Sequence, residues 1–306
     1  MGSRADSAPR VAVVVVSWNR REDTLACLQS LAEVDWRPLD VVVVDNGSSD
    51  GSAEAVQTSF PQARLIALEL NRGFAGGSNA GVRRALELGA EHVLLLNNDC
   101  EIEPDAVAAL VDAAASHPDA GSLGAKILYA ERPDLIWFAG TRFDPRRGYN
   151  GRAAAYRARD GARFAGVSET DVACGAALLL PRTALERVGP LDEQLFAYSE
   201  DVDWSLRARR AGYRHYVVGT ARVRHRVSLS SGGENAPRTL YYGIRNSLVV
   251  RERHAPLGPV GTWRRRLVAL TAHAVQALLA SNRREGLAAV AAGWRDFHHG
   301  RLGPRP

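Results

Sequence analysis

Residues 11–16 read VAVVVV, and a run this apolar, mostly β-branched and without polar alternation marks a strand buried on both faces. A strand with no wet face belongs inside a parallel sheet that is covered by helices on both sides. The next 110 residues or so have the rhythm such a sheet needs. Residues 21–32 place Leu25, Leu28 and Leu31 at helical spacing. A second buried strand, 41–44, ends in Asp45-Asn46-Gly47-Ser48-Ser49-Asp50, a polar turn that also caps the next helix. A short third strand at 65–68 is followed by the glycine-rich segment 71–81, which leads into a helix through Leu88. The fourth strand is 93–96, and Pro104 suits the first turn of the helix after it. The expected class is therefore α/β, a mostly parallel Rossmann-like sheet with flanking helices.

From 129 to 171 the pattern weakens into Arg-, Gly- and Ala-rich sequence, read as loops and short antiparallel strands. An apolar run returns at 176–180, with a helix from Pro181, another helix at 199–211, and short strands at 217–218 and 223. After a break at Gly232-Gly233, residues 238–253 and 263–280 read as two amphipathic helices, the second with Leu267, Leu270, Ala274 and Leu278 on one face. The chain divides accordingly into a domain over 10–235, with a donor half at 10–128 and an acceptor half at 129–235, and a C-terminal helical extension over 236–306.

Charge separates the same two parts. The 306 residues carry +5, but 11 arginines against three acids put +8 on residues 245–306 and leave about −3 on the rest. No basic patch marks the domain for nucleic acid. Cys27, Cys100 and Cys174 match no zinc or redox spacing, and an odd, scattered count points to a reducing compartment. The amino-terminal ten residues lack the apolar core of a signal peptide, and Asp6 stands where a myristoylation signal wants Ser or Thr. The longest apolar run, 267–280, is short of a membrane span and is interrupted by His273 and Gln276. The expectation is a soluble cytoplasmic protein, with peripheral attachment to the inner face of the membrane left open.

In an open α/β sheet ligands bind beyond the carboxyl ends of the strands. Four such ends carry polar residues here: Ser17-Trp18-Asn19, Asp45, the 71–81 segment, and Asn97-Asn98-Asp99. One polar strand end is ordinary turn chemistry; four in succession read as a nucleotide site. The first turn is SWNRRE, with neither the GxGxxG of dinucleotide enzymes nor a GxxxxGK[ST] phosphate loop anywhere in the chain. Asp45 suits the imide N–H of a uracil or thymine ring, with a helix N-cap as the alternative. In the 71–81 segment four glycines permit close backbone approach, Arg72 suits a phosphate, and Asn79 suits a sugar or the metal side; a flexible turn is the alternative. A carboxylate at Asp99 with an amide two residues before it suits a hard divalent cation on a phosphate-bearing substrate. Glu200-Asp201-Val202-Asp203 crowds three acids into a first helical turn, more than a helix dipole needs, and crowding raises one pKa toward a usable base. His225 is either a surface residue of a basic segment or a nitrogen ligand for a metal at Asp99.

Taken in order, VVVVSWNRREDTLACLQSL, VVVVDNGSSDGS, LNRGFAGGSNAGV, VLLLNNDCEIEPDAV, ACGAALLLPR, GPLDEQLFAYSEDVDWSLRARRAGY and VRHRVSLS resemble the family 2 glycosyltransferases of the GT-A fold, and among them the bacterial rhamnosyltransferase-like branch. The resemblance covers roughly 10–250. It implies an inverting, metal-dependent transfer of a sugar from a nucleoside-diphosphate donor, dTDP-L-rhamnose as the best choice, to a hydroxyl of a glycan, a lipid-linked intermediate or a small natural product. It implies that Asp45 holds the donor base with Ser17 and Asn19 nearby, and that Asn97 contacts the ribose or the metal's waters. Arg72, Gly73, Asn79, Asn98 and Gly175 complete the substrate-binding set. Asp99 and His225 would hold Mg²⁺ or Mn²⁺. Asp201 would be the general base, with Glu200 and Trp204 shaping the acceptor pocket. One departure stands out: the family's metal motif is commonly Asp-x-Asp, and its first position here is Asn97, a weaker ligand than a carboxylate. Two other functions compete: a nucleotide-sugar-binding protein with little catalysis, and a sugar nucleotidyltransferase, whose basic Gly-rich loop after strand one SWNRRE does not supply. The basic C-terminal helices offer either peripheral membrane contact or a homodimer interface.

Overall fold

The computed structural model describes residues 8–144, 148–149, 155–227 and 235–305. The amino-terminal residues 1–7, the end of VRHRVSLS and the break at Gly232-Gly233 lie outside the described residues.

Residues 10–128, expected as the donor half, build β1 (Val11–Ser17), α1 (Arg21–Ala32), β2 (Leu39–Asp45), α2 (Ser52–Ser59), β3 (Arg64–Ala67), α3 (Gly73–Glu87), β4 (His92–Asn97), β5 (Cys100–Ile102) and α4 (Ala106–Ser116). The stretch expected as the acceptor half continues with β6 (Ala120–Tyr129), β7 (Ile136–Phe138), β8 (Phe143–Asp144), β9 (Gly148–Tyr149), β10 (Val167–Thr170), β11 (Ala177–Pro181), α5 (Arg182–Val188), α6 (Glu200–Arg210) and β12 (Arg214–His225). Three helices close the chain: α7 (Pro237–His254), α8 (Pro259–Leu278) and α9 (Arg283–His298). α9 lies beyond the two C-terminal helices expected from sequence, and its start is marked by Asn282 accepting the Glu285 N–H.

The main sheet runs β10-β12-β6-β11-β4-β1-β2-β3. β4, β1, β2 and β3 are mutually parallel, and β6 and β12 form a second parallel pair. Between them β11 runs antiparallel to both β4 and β6. Its start therefore lies at the same edge as the ends of β1, β2 and β4. Register sharpens this: Ser17 stands opposite Asp45, and Val16 opposite Asn97. β12 is one long strand with an irregularity between Val218 and Arg222, where the sequence suggested two short ones. It ends at His225, opposite Cys100 of β5.

Both faces of β1 are buried, as its composition required. Val11, Val13 and Val15 enter one core with Leu28, Leu94, Leu96 and Leu110. Ala12, Val14 and Val16 enter the other with Val42, Val44, Leu95 and Trp204. The glycine-rich segment, expected as a loop, is the first half of α3. Its glycines serve contact: a Cβ at Gly77 would sit 2.7 Å from Val16 Cγ1, and one at Gly81 only 2.2 Å from Val14 Cγ1. Helix and sheet thus approach more closely than side chains would allow.

The C-terminal helices are packed onto the acceptor half. α7 buries Leu240, Tyr241 and Tyr242 with Phe196, Ala277, Ala289 and Val290, and Ile244 and Leu248 with Ala269. No helix among the described residues is long and apolar enough to cross a membrane.

Candidate active site

The strand ends meet at one edge of the sheet, and each carries the polar residues the sequence singled out. Ser17 is buried and shares a hydrogen bond with Thr24 Oγ1 on α1 (2.9 Å), which also accepts from Asn98 Nδ2 (3.0 Å). That chain fixes the ends of β1 and β4 to one another through α1. Asn19, in the left-handed region at φ 57°, donates its N–H to Ser48 Oγ (2.8 Å) and accepts from the Ser49 N–H (2.9 Å). It holds the turn after β2.

Asp45 is 5% exposed, and its Oδ2 accepts the Ser48 N–H at 3.1 Å. Its Oδ1 has no donor among the described residues. The helix-capping role open to it in sequence is filled by Asp50, whose Oδ1 accepts the Ser52 N–H (3.1 Å) while its Oδ2 accepts the Arg21 N–H (3.0 Å). A buried carboxylate oxygen without a donor is expensive in free energy, so Asp45 is left as a ready acceptor for a ligand N–H.

The second group lies where β4 and β12 end. Asp99 and His225 are each 5% exposed, and Asp99 Oδ1 stands 3.0 Å from His225 Nε2. The contact is close but poorly aligned, and Oδ1 has no well-directed donor among the described residues. Burial alone would push the Asp99 carboxyl up. His225 beside it, with Arg20 further off, outweighs that and holds it below the usual carboxylate range. Cys100 completes a three-residue cluster whose ligand atoms lie within 4.8 Å of one another. Burial and the Asp99 charge push its thiol well above the ordinary value, and Sγ–H points at Ala176 O (3.6 Å). With the thiol turned to Ala176 O, the ligand atoms left facing one another are a carboxylate oxygen of Asp99 and an imidazole nitrogen of His225. That set fits Mg²⁺ or Mn²⁺ sharing the remaining positions with a diphosphate. Asn97 is half-buried beside them, its N–H donated to Ala176 O at 3.0 Å.

The third group opens α6. Asp201 accepts the Gly175 N–H at Oδ2 (2.9 Å) and the Val202 N–H at Oδ1 (2.8 Å). Glu200 is buried and its Oε2 has no donor among the described residues. Burial drives Glu200 well above the ordinary carboxyl range, and the charge of Asp201 adds to it. Asp201 is raised as well by burial, with the two backbone N–H groups pulling the other way. The pair thus retains a proton where isolated acids would not, and titrates as a unit. Asp203 is different. Burial opposes its charge, but His254, Arg207 and Arg253 surround it and hold it far below the usual range. It ties α6 to α7 through Arg253 Nη1 (2.9 Å) and His254 Nε2 (2.8 Å).

One dipeptide joins the last two groups. Gly175 donates to Asp201, while Ala176 O accepts from Asn97 and Cys100. The turn before α6 is strained: Phe196, Tyr198 and Ser199 have φ of 66°, 68° and 71°. Asn246 on α7 holds it, its Nδ2 lying 2.8 Å from each of Leu195 O, Ala197 O and Tyr198 O. Arg245 donates to Leu195 O (3.1 Å) and Gly303 O (2.8 Å). Gly73, at φ +73°, packs on the same turn, where a Cβ would lie 2.2 Å from Phe196 O.

Three of the expected ligand residues have partners within the chain. Arg72 Nη2 is paired with Glu193 Oε2 (2.8 Å). Asn79 is buried, donating to Leu191 O (2.9 Å) and accepting the Leu191 N–H (3.0 Å), so its amide joins α3 to the acceptor half. Trp204 is wholly buried in the core, with Nε1 on Gly189 O (2.9 Å). Sequence reasoning passed over Asn46, which accepts the Arg72 N–H (2.9 Å) and donates to Gly73 O (2.9 Å), and over Arg245-Asn246. The signal for the latter was two polar residues inside the apolar stretch LYYGIRNSLVV, at helical spacing from Tyr241 and Tyr242.

The family model for glycosyl transferase family 2 matches residues 12–189. The chain is 30% identical over 278 residues to N-acetylglucosaminyl-diphospho-decaprenol L-rhamnosyltransferase of Mycobacterium tuberculosis, covering 85% of this chain and 87% of that protein. It is 24% identical over 252 residues to dTDP-rhamnosyl transferase RfbF of Shigella flexneri, covering 80% and 81%. Among solved structures, mannosyltransferase PcManGT from Pyrobaculum calidifontis, in complex with GDP-Man and Mn²⁺, aligns with a TM-score of 0.60 at 18% identity, covering 98% of this chain and 92% of that one.

Proposed function

This chain belongs to glycosyl transferase family 2, and we propose that it transfers L-rhamnose from dTDP-L-rhamnose to a hydroxyl of a lipid-linked saccharide, with inversion at the anomeric carbon. In this reading residues 10–235 carry the transfer and 236–306 brace it. The observation that carries the proposal is that three buried carboxylate oxygens, on Asp45, Asp99 and Glu200, lack donors among the described residues at one edge of the sheet. The base of a sugar nucleotide would supply an N–H to Asp45, its divalent cation would meet Asp99, and the hydroxyl acceptor would meet Glu200. The two relatives named for rhamnosyl transfer support the sugar.

Asp45 accepts the imide N–H of the thymine ring, and the Ser17–Thr24–Asn98 chain keeps that edge rigid. Asp201 takes the proton from the acceptor hydroxyl, and the resulting oxygen forms a bond to the anomeric carbon as the bond to the diphosphate oxygen breaks on the opposite face. The nucleoside diphosphate departs with the electron pair. A raised pKa suits Asp201 to this task, because a base of higher pKa is the stronger proton acceptor once ionised. Gly175 and Val202 N–H groups orient its two oxygens. Asp99 and His225 would hold the divalent cation, which when bound offsets the charge that develops on the diphosphate.

The test is transfer from dTDP-L-rhamnose, with UDP- and GDP-sugars as competitors. Asp201→Asn is expected to bind donor normally while turnover falls by roughly 10²–10⁴-fold. Transfer by that variant at near wild-type rate removes Asp201 as the base, and tighter binding of a GDP-sugar than of the thymidine donor removes the donor assignment.

A further inference from the structure

α8 carries a surface that transfer chemistry does not use. Its inner side packs Ala269, Leu270 and Ala277 against α7 and α9. The row that the sequence places on one face is split: Leu267 and Leu278 face solvent. So do Val260 (84% exposed), Trp263 (65%), Val268, Val275 and Leu279, which with Leu267 fall on one side of the helix in the rows 260/263/267 and 268/275/279. A helix apolar on two sides has one side without a partner. The contiguous exposed row is the kind of patch that marks an interaction surface.

The charge around it selects the occupant. Residues 253–284 contain no Asp or Glu. Exposed Arg264 lies within the apolar row, and exposed Arg283 and Arg284 follow its far end. A second copy meeting this patch about a two-fold axis would set arginine against arginine with no acid in the segment to answer it. An anionic bilayer surface answers both features at once: the apolar side chains enter the boundary of the acyl chains, Trp263 sits at the headgroup level, and the arginines reach the phosphates. We propose that the outer face of α8 docks this protein on an anionic membrane surface, lying in the interface and not crossing it. The purpose of such docking, though not its geometry, rests on the reading above of a lipid-linked acceptor.

Vesicle flotation with the full chain tests it. Binding is expected to vesicles containing phosphatidylglycerol, about 10- to 100-fold tighter than to phosphatidylcholine alone, and weakened by salt. The double variant Leu267→Glu, Val275→Glu changes only exposed positions and is expected to lose flotation while still binding donor nucleotide, read by thermal shift. Wild-type protein that stays in solution with both vesicles overturns the proposal, as does a double variant that still floats. Self-association in sedimentation velocity that the double variant abolishes, without vesicle binding, assigns the face to a second copy and also overturns it. Flotation that persists while rhamnosyl transfer fails leaves the surface standing and removes the function reading alone.

Discussion

Asn246 is far from any reacting atom in sequence, yet its replacement should be felt at the base. In Asn246→Ala the carbonyls of Ala197 and Tyr198 lose the amide that holds them, while Leu195 O keeps Arg245 Nη2. Leaving these two part-buried carbonyls without this donor costs up to about 1–3 kcal/mol each before relaxation. The turn they belong to holds three left-handed residues, each strained by about 1 kcal/mol, so it has its own reason to relax. Relaxation recovers part of the loss, and a net destabilisation of about 2–4 kcal/mol follows. Because Ser199 leads directly into Glu200-Asp201, a shift near 1 Å in this turn carries the carboxylate with it, and misplacement on that scale lowers turnover by about 10²-fold. Donor affinity should hold, since Asp45 and the β1–β2 edge are tied through Thr24 and Ser48 instead. Asn246→Asp should be worse than Asn246→Ala, because it turns a carboxylate toward three carbonyls. Urea unfolding, donor titration and kcat measured on the same variants separate the effects. A variant destabilised as expected but turning over normally would falsify the link from turn to base, and a reversed order of Asp and Ala would refute the carbonyl argument itself.

Other consequences can be measured more simply. At a hundredfold excess over its Kd, Mn²⁺ should stabilise the wild-type protein by about 2.7 kcal/mol, and Asp99→Asn should lose most of that; an unchanged thermal shift in the variant would remove the ion from Asp99. His215 is buried between Ser122 Oγ (2.7 Å) and Ser205 O (2.9 Å), and burial lowers it from 6.5 to about 4. Between those values the unfolded chain takes a proton that the native state refuses, so stability falls as pH falls through this window, by about 3 kcal/mol in total. His215→Phe should flatten that part of the pH profile of urea unfolding, and an identical slope in the variant would exclude His215 as its source. Gly81→Ala places a methyl 2.2 Å from Val14 Cγ1 and should destabilise by about 1–3 kcal/mol or more; a neutral effect would mean that α3 can retreat from β1 freely.

The donor half was the more legible part because its signals are local. The bounds of α1 match the sequence reading residue for residue, and VAVVVV could only be a strand covered twice. β12 was read as two pieces because Gly219, Arg222 and Arg224 interrupt the apolar pattern at the irregularity in its pairing with β6. The start of α3 was read as a loop because glycine is a poor helix former in isolation. Its close seat on Val14 and Val16 is a tertiary fact that no local propensity contains. The intrachain partners of Arg72 and Asn79 escape local reading for the same reason: Glu193 and Leu191 lie more than 110 residues on. Residue type announced the carboxylates of the site, whereas which of them would be ringed by cations, as Asp203 is, depended on α7.

The clasp between Gly303 and the turn before α6 bears on the order in which the working parts come together during synthesis. The Gly303 N–H donates to Gln194 O at 2.7 Å, and Gly303 O accepts from Arg245. All the residues proposed to grip the thymidine diphosphate, apart from His225, have emerged by Asp99, whereas the turn that aims Asp201 is not clasped until Gly303 has left the ribosome. A nascent chain should therefore acquire its hold on the nucleotide well before it can activate a hydroxyl, so competence for donor binding precedes competence for transfer.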